Sequence, residues 1–232
     1  MRVAIMQPYF LPYIGYFQLI NSVDLFILYD NIKYTKKGWI NRNRMFQNGK
    51  DVLFSIPLKS DSDFLDVRDR KLDPGFKKDV LLDKIKGNYQ LSPYFKQAFP
   101  LVEQVIKYDD PNLFGYLHNS IVSVCDYLKI KNKIAISSEI EIDHSLKNRD
   151  KVIALCKRVG ATVYINAIGG LELYSKEDFL QNGIDLKFIQ SKSFVYKQFG
   201  NEFVSWLSIL DVLMFNSVDT ISECLKSNYE LI

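Results

Sequence analysis

The feature that most restricts this chain's fold is the stretch from Met1 to Asp30, where a strand, a turn, a short helix and a second strand follow one another with few spare residues. Residues 2–6 form an apolar run of strand type, and residues 24–30 form another, centred on Leu25, Phe26, Ile27 and Leu28. Between them lie residues 7–16 and a short amphipathic segment with Phe17, Leu19 and Ile20. That is the minimum for one βαβ unit, which crosses over right-handed onto a parallel sheet. Ligands bind such sheets outside the carboxyl ends of the strands, so the turn after the first strand is a candidate site. Here it carries Gln7, Pro8, Tyr9, Pro12, Tyr13 and Tyr16. These make a rigid aromatic rim, unlike an ordinary solvated loop.

The alternation returns in the second half. Residues 133–140 read as a strand and loop and 162–166 and 184–189 as strands, while 147–160 and 176–182 read as helices closed by Gly160 and Gly183. Residues 207–215 and 218–225 read as closing helices. In the middle, residues 52–58 read as a strand with Pro57 at its end or edge. Three helices then follow, at 75 to about 88 behind Asp73-Pro74, from Ser92-Pro93 onward, and at 112 to about 128 behind Asp110-Pro111. A capping residue before proline is a helix-start signal. The pattern predicts an α/β fold, a mainly parallel Rossmann-like sheet with a helical insertion at about 73–130, in a single domain over 1–232.

At 232 residues the chain is long enough to bury a core, and 47% hydrophobic with 25% charged residues is the composition of a soluble globular protein. The net charge of +3 is mild, and the lysines are scattered among carboxylates. A nucleic-acid binder needs a concentrated basic face, so no nucleic-acid partner is expected. Cys125, Cys156 and Cys224 are far apart and lack zinc spacing, so a reduced cytoplasmic compartment is expected, with neither disulfide framework nor metal. No basic leader or long apolar run is present, so no membrane insertion is expected. The sequence leaves homo-oligomer formation open.

Several residues are candidates for chemistry. Gly15 lets a backbone approach a phosphate, and the helix after it offers N-terminal amides to an anion. Asp30 lies at the carboxyl end of the second strand, where it can accept a proton or orient an amine. Beyond it, Lys36, Trp39, Arg42 and Asn43 crowd polar and aromatic groups into a short segment, and an arginine fork suits a phosphate. The alternative for this pair is a solvated salt-bridge surface. His118 lies on a helix and His144 in a polar stretch before one; each is either structural or a general base. Gly169 and Gly170 follow a strand, where their amides can cradle a phosphate. Tyr196 precedes a Lys-Gln pair, and Asp211 falls inside an apolar helix, where an unpaired carboxylate is costly. Asp211 therefore requires a partner, either a backbone cap or an arginine of the site.

Residues 7–16 look like a relative of the phosphate-contacting turn of Rossmann-like nucleotidyltransferases, with Tyr16 in place of the second histidine. Without those histidines adenylyl transfer is not the expected chemistry. Taken together, residues 6–20, Asp30 with Trp39, Arg42 and Asn43, residues 92–95, residues 161–170 with Tyr174, residues 196–198 and residues 207–216 resemble the WbqC-like protein family over essentially the whole chain. Asn166 departs from a position that is usually small or serine-like, and Met214 with Phe215 replaces a plainer aliphatic pair.

The resemblance implies a role in bacterial surface polysaccharide clusters, O-antigen in particular. It implies an N-acyl- or aminoacyltransferase acting on a nucleotide-linked amino sugar, with no tightly bound cofactor. The expected donor is an acyl thioester on coenzyme A or an acyl carrier protein. Asp30 is expected to orient or deprotonate the amine and Arg42 to hold the phosphates. Gln7 and Tyr16 are expected to line the pocket, with Tyr9, Tyr13 and Trp39 stacking on a base or sugar. Two rivals are a nucleotidyl- or glycosyl-transferring enzyme and a non-catalytic nucleotide-sugar-binding module. The site expectation is geometric: Gln7, Tyr16, Asp30 and Arg42 should converge on one cleft.

Overall fold

In the computed structural model, which describes residues 1–200 and 202–232, the opening run is strand β1 (Arg2–Met6). Helix α1 (Ile14–Asn21) leads from it to β2 (Leu25–Leu28). The two strands are parallel, with Val3 opposite Leu25 and Met6 opposite Leu28. The chain then leaves the sheet. It forms an antiparallel hairpin, β3 (Arg42–Gln47) and β4 (Lys50–Ser55), and three helices, α2 (Lys78–Tyr89), α3 (Phe95–Lys107) and α4 (Leu113–Tyr127). It rejoins the sheet as β5 (Lys133–Ile136) and continues through α5 (Asn148–Arg158), β6 (Val163–Ala167), α6 (Lys176–Leu180) and β7 (Asp185–Ser191). Helices α7 (Ile209–Phe215) and α8 (Val218–Ser227) and strand β8 (Tyr229–Leu231) close the chain.

The sheet order is β5-β2-β1-β6-β7-β8, parallel throughout except for the final antiparallel β7–β8 pair. Chain order runs outward from β1 to β2 and β5, then returns to the far side of β1 as β6 and β7. This reversal is that of a Rossmann-like sheet, and it opens a crevice at the carboxyl ends of β1 and β6. Both sheet faces are covered, which explains why the strands read as continuous apolar runs. Ala4, Phe26 and Leu28 face the side packed by α1, α4, α7 and α8. Val3, Ile5, Ile27 and Tyr164 face the other side, packed by Val152, Leu155 and Cys156 of α5 and Phe179 of α6. A fully buried side chain of this size contributes roughly 1.5–3 kcal/mol, so the two faces together hold the sheet edge that carries the crevice.

Local details differ from the sequence expectations. The proline pairs do not open the helices directly. Asp73 accepts from the Gly75 amide at 2.7 Å and makes a turn ahead of α2. Asp110 does the same for the Asn112 amide at 2.8 Å, and Asn112 is the residue that caps α4, accepting from Gly115 at 3.0 Å. Ser92 Oγ donates to the Tyr89 carbonyl, finishing α2 instead of starting α3. The β3–β4 hairpin was not expected. It turns at Asn48 and Gly49, both with positive φ (52° and 78°), the two-residue turn whose twist matches the flanking strands.

Candidate functional site

The crevice is a cavity of about 1120 Å³. Its floor is the carboxyl end of the sheet, with Met6 ending β1 and Gln7 after it, Tyr29 and Asn31 after β2, and Asn166 and Ala167 on β6. One wall is the turn into α1, with Tyr9, Tyr13, Gly15 and Tyr16. This turn is fixed internally: the Tyr16 hydroxyl donates to the Gln7 carbonyl at 2.9 Å, and the Tyr9 and Tyr16 rings lie 5.7 Å apart. Gly15 makes room here for a different group from the one expected. A Cβ at this position would collide with the ring of Tyr13, which folds over it. The glycine seats an aromatic ring, so the α1 end of the cavity is a tyrosine surface.

The opposite wall is the start of α5, with His144, Lys147, Asn148, Arg149 and Lys151. Glu172 and Tyr174, beyond the Gly169–Gly170 turn, close a third side. No side chain caps the start of α5. Lys151 is 5% exposed, and its ammonium meets the Asn31 carbonyl at 3.3 Å and the Tyr29 ring at 5.3 Å. Among the described residues no carboxylate is within ion-pair distance of it. Burial holds this ammonium below the ordinary lysine value, opposed by the charges of Asp66 and Asp30. Asp66 also lines the cavity, and its carboxylate accepts no hydrogen bond from the described residues. Burial raises its proton affinity above the ordinary carboxylate value, with Arg68 opposing.

The expected convergence of Gln7, Tyr16, Asp30 and Arg42 is not what the fold produces. Gln7 and Tyr16 line the cavity with Tyr9, Tyr13, Gly15, His144, Gly169 and Gly170. Asp30, 2% exposed, is turned away into the β2–β5 junction. Its carboxylate accepts from Ser137 Oγ (2.7 Å), the Ser138 amide (2.9 Å) and Ser138 Oγ (2.6 Å), capping the turn after β5. Arg42 is committed to the carbonyls of Gly38 (2.8 Å) and Lys37 and lies over Trp39. Trp39 is 42% exposed, and Lys36 pairs with Asp63 at the surface.

Asn43 is a brace. Its amide donates to the carbonyls of Phe10 (3.2 Å) and Leu11 (2.8 Å), and Ser208 Oγ adds a third bond, to Leu11. Those donors hold Leu11 at φ +41°, a conformation costly for a branched side chain. The opening turn and the segment near residue 40 are therefore in packed contact, and the hollow lies on the turn's other side. His118 is half-buried on α4, 5.9 Å from the Phe114 ring, and burial lowers its pKa. It and Tyr196 are not among the cavity's lining residues. His144 is on the rim; Nδ1 lies 2.9 Å from the Asn31 amide nitrogen and Nε2 3.0 Å from the Ile140 carbonyl.

Asp211 found neither an arginine nor a backbone cap. It is 0% exposed and accepts from Tyr89 (3.0 Å), Tyr196 (2.7 Å) and Gln198 (2.7 Å). Tyr196 thus belongs to a structural network.

Lys151, Asp66, Tyr29, Asn31 and Lys147 were missing from the sequence-based site. For Lys151 a signal existed: it shares the apolar stripe of α5 with Val152, Leu155 and Cys156, where a solvated lysine does not belong. Asp66 sits in a polar loop and carries no local signal; the fold alone brings it to the cavity.

Among the described residues no helix is long and apolar enough to cross a membrane, and no group of three or more histidine, cysteine or acidic side chains is arranged to hold a metal ion. No solved structure matches the chain. Among curated proteins it is similar to Uncharacterized protein Rv1507c of Mycobacterium tuberculosis, 26% identical over 218 residues and covering 93% of each chain. The model of the WbqC-like protein family matches residues 7–223, which includes the opening turn, the α5 wall and the Asp211 network. The chain belongs to the WbqC-like protein family.

Proposed function

We propose that this chain is an N-acyl- or aminoacyltransferase acting on a nucleotide-linked amino sugar, working in the cytoplasm in the assembly of bacterial surface polysaccharide. The observation that carries the reading is the cavity at the sheet reversal, which combines a tyrosine wall, a cationic wall and an unpaired carboxylate. Its volume suits a nucleotide sugar, larger than most drug-sized ligands require. Tyrosines suit the base and sugar, cations suit the diphosphate, and Asp66 suits the amine.

Asp66 replaces Asp30 in the role of base, because Asp30 already accepts three hydrogen bonds inside the β2–β5 junction. In the proposed reaction the amine nitrogen attacks the carbonyl carbon of an acyl thioester carried by coenzyme A or an acyl carrier protein. The C–N bond forms, and the C–S bond breaks as the thiolate leaves. The proton lost by nitrogen passes to the Asp66 carboxylate, whose raised proton affinity favours acceptance. Alignment of amine and thioester supplies much of the acceleration, and in this reading the side-chain amide of Gln7, a lining residue, donates to the developing oxyanion.

The test is incubation with a panel of nucleotide-linked 3- and 4-amino-6-deoxy sugars and acyl thioesters, read by mass spectrometry. The reading requires an acyl mass gain on one acceptor that falls at least about 100-fold in Asp66→Asn. Nucleotide-sugar binding with no product from any donor would make the protein a binding module instead.

A further inference from the structure

Two helix starts face the cavity, and a diphosphate can be met by either. The start of α1 follows β1, the place where Rossmann-like sheets ordinarily receive a phosphate. Here no cationic side chain lies in residues 7–16, and the Tyr13 ring covers the glycine that would admit a phosphate oxygen. The start of α5 differs in each respect. It has no side-chain cap, Lys147 stands at its N-cap position, and Lys151 lies one turn in. Lys151 is the independent observation. It is 5% exposed and lines the cavity, where its ammonium meets a carbonyl at 3.3 Å and the Tyr29 ring at 5.3 Å but, among the described residues, no carboxylate within ion-pair distance. A buried ammonium is costly without a counter-charge, and Arg149 is already paired with Asp150 and Asp178.

We infer that the diphosphate of the ligand docks on the α5 wall against Lys151 and Lys147, leaving the α1 turn to the uncharged base and sugar. This rests on the nucleotide-sugar reading and fixes the ligand's polarity in the cavity. The ligand would supply the anion that the fold withholds from Lys151. The helix amides and the two ammonium groups would then act on the same oxygens.

Inorganic pyrophosphate and a panel of nucleoside diphosphates (UDP, dTDP, GDP) are titrated calorimetrically into the full chain and its variants. Lys151→Met should weaken pyrophosphate binding by about tenfold or more. Lys147→Met, at an exposed position where folding is not at risk, should weaken it about threefold. Lys96→Met on α3 removes the same charge elsewhere and should leave affinity unchanged. Thermal unfolding of Lys151→Met within about 4 °C of wild type shows that the loss is local. Nucleoside diphosphate binding that is indifferent to both Lys151→Met and Lys147→Met overturns the docking assignment and spares the nucleotide-sugar reading. A wild-type chain that binds neither pyrophosphate nor any nucleoside diphosphate overturns both.

Discussion

Asp211 on α7 and Lys151 on α5 each carry an ionisable group almost wholly withdrawn from solvent, 0% and 5% exposed. Around Asp211 the chain has gathered three donors from two distant segments, Tyr89 of α2 and Tyr196 and Gln198 of the stretch before α7. Tyr89 in turn accepts from the Phe46 amide at 2.8 Å, so the network also pins the β3–β4 hairpin. Around Lys151 there are a long contact with a carbonyl and the face of the Tyr29 ring, and no carboxylate of the described residues within ion-pair distance. The contrast separates two uses of burial. A buried charge whose hydrogen bonds are all met within the chain holds elements together. One left short of partners beside a cavity is, on our proposal, the group that receives a ligand. Asp30, with three donors of its own, falls on the structural side of this line, although its position at a strand end made it look catalytic.

The largest effect that sharpens the comparison is on stability. Asp211→Ala strands two tyrosine hydroxyls and an amide in the core and should cost about 3 kcal/mol in urea unfolding. A loss below about 1 kcal/mol would mean that the network is slack.

The next effect is on pH dependence. Burial places the folded-state pKa of Lys151 below the ordinary 10.5, so between those two values the folded chain binds fewer protons than the unfolded one. The site's penalty is therefore fully present below the lowered value and is relieved as pH rises through the window. The unfolding free energy of wild type should gain on that of Lys151→Met as pH rises toward 10.5. A difference that stays flat would show that the ammonium is adequately paired.

The smallest effect is at the tyrosine wall. Gly15→Ala forces aside only the far end of the Tyr13 side chain, so it should cost less than about 1 kcal/mol in thermal unfolding. Its effect should vanish in a Tyr13→Ala background.

Much of the sheet was legible because parallel strands buried on both faces leave apolar runs, and Gly160 and Gly183, at φ +73° and +74°, mark the ends of the helices before β6 and β7. The hairpin was missed although Asn48-Gly49 announces it. Polar residues on β3, from Arg42 to Gln47, hid the strand, and Asn43 spends its side chain on the opening turn. Helix starts shifted because Asp73 and Asp110 satisfy turn amides ahead of their helices.

Half of the site was readable from the opening turn, whose tyrosines reach the cavity by local geometry. The rest depends on where residues 29–132 send the chain before β5 returns, and no spacing in the sequence encodes that Asp66 and Lys151 line the same cavity. Arg42 looked like a phosphate holder because an arginine fork suits a phosphate and polar groups crowd around it, yet the Gly38 and Lys37 carbonyls had already claimed it.

Hydrogen–deuterium exchange with a nucleoside diphosphate bound tests the central claim most directly, because it locates the ligand without assuming a reaction. Protection should concentrate in residues 29–33, 146–151 and 166–174, with a weaker effect at 7–16. Protection centred instead on residues 36–44 or on α2–α4, with the α5 wall unchanged, would contradict the account.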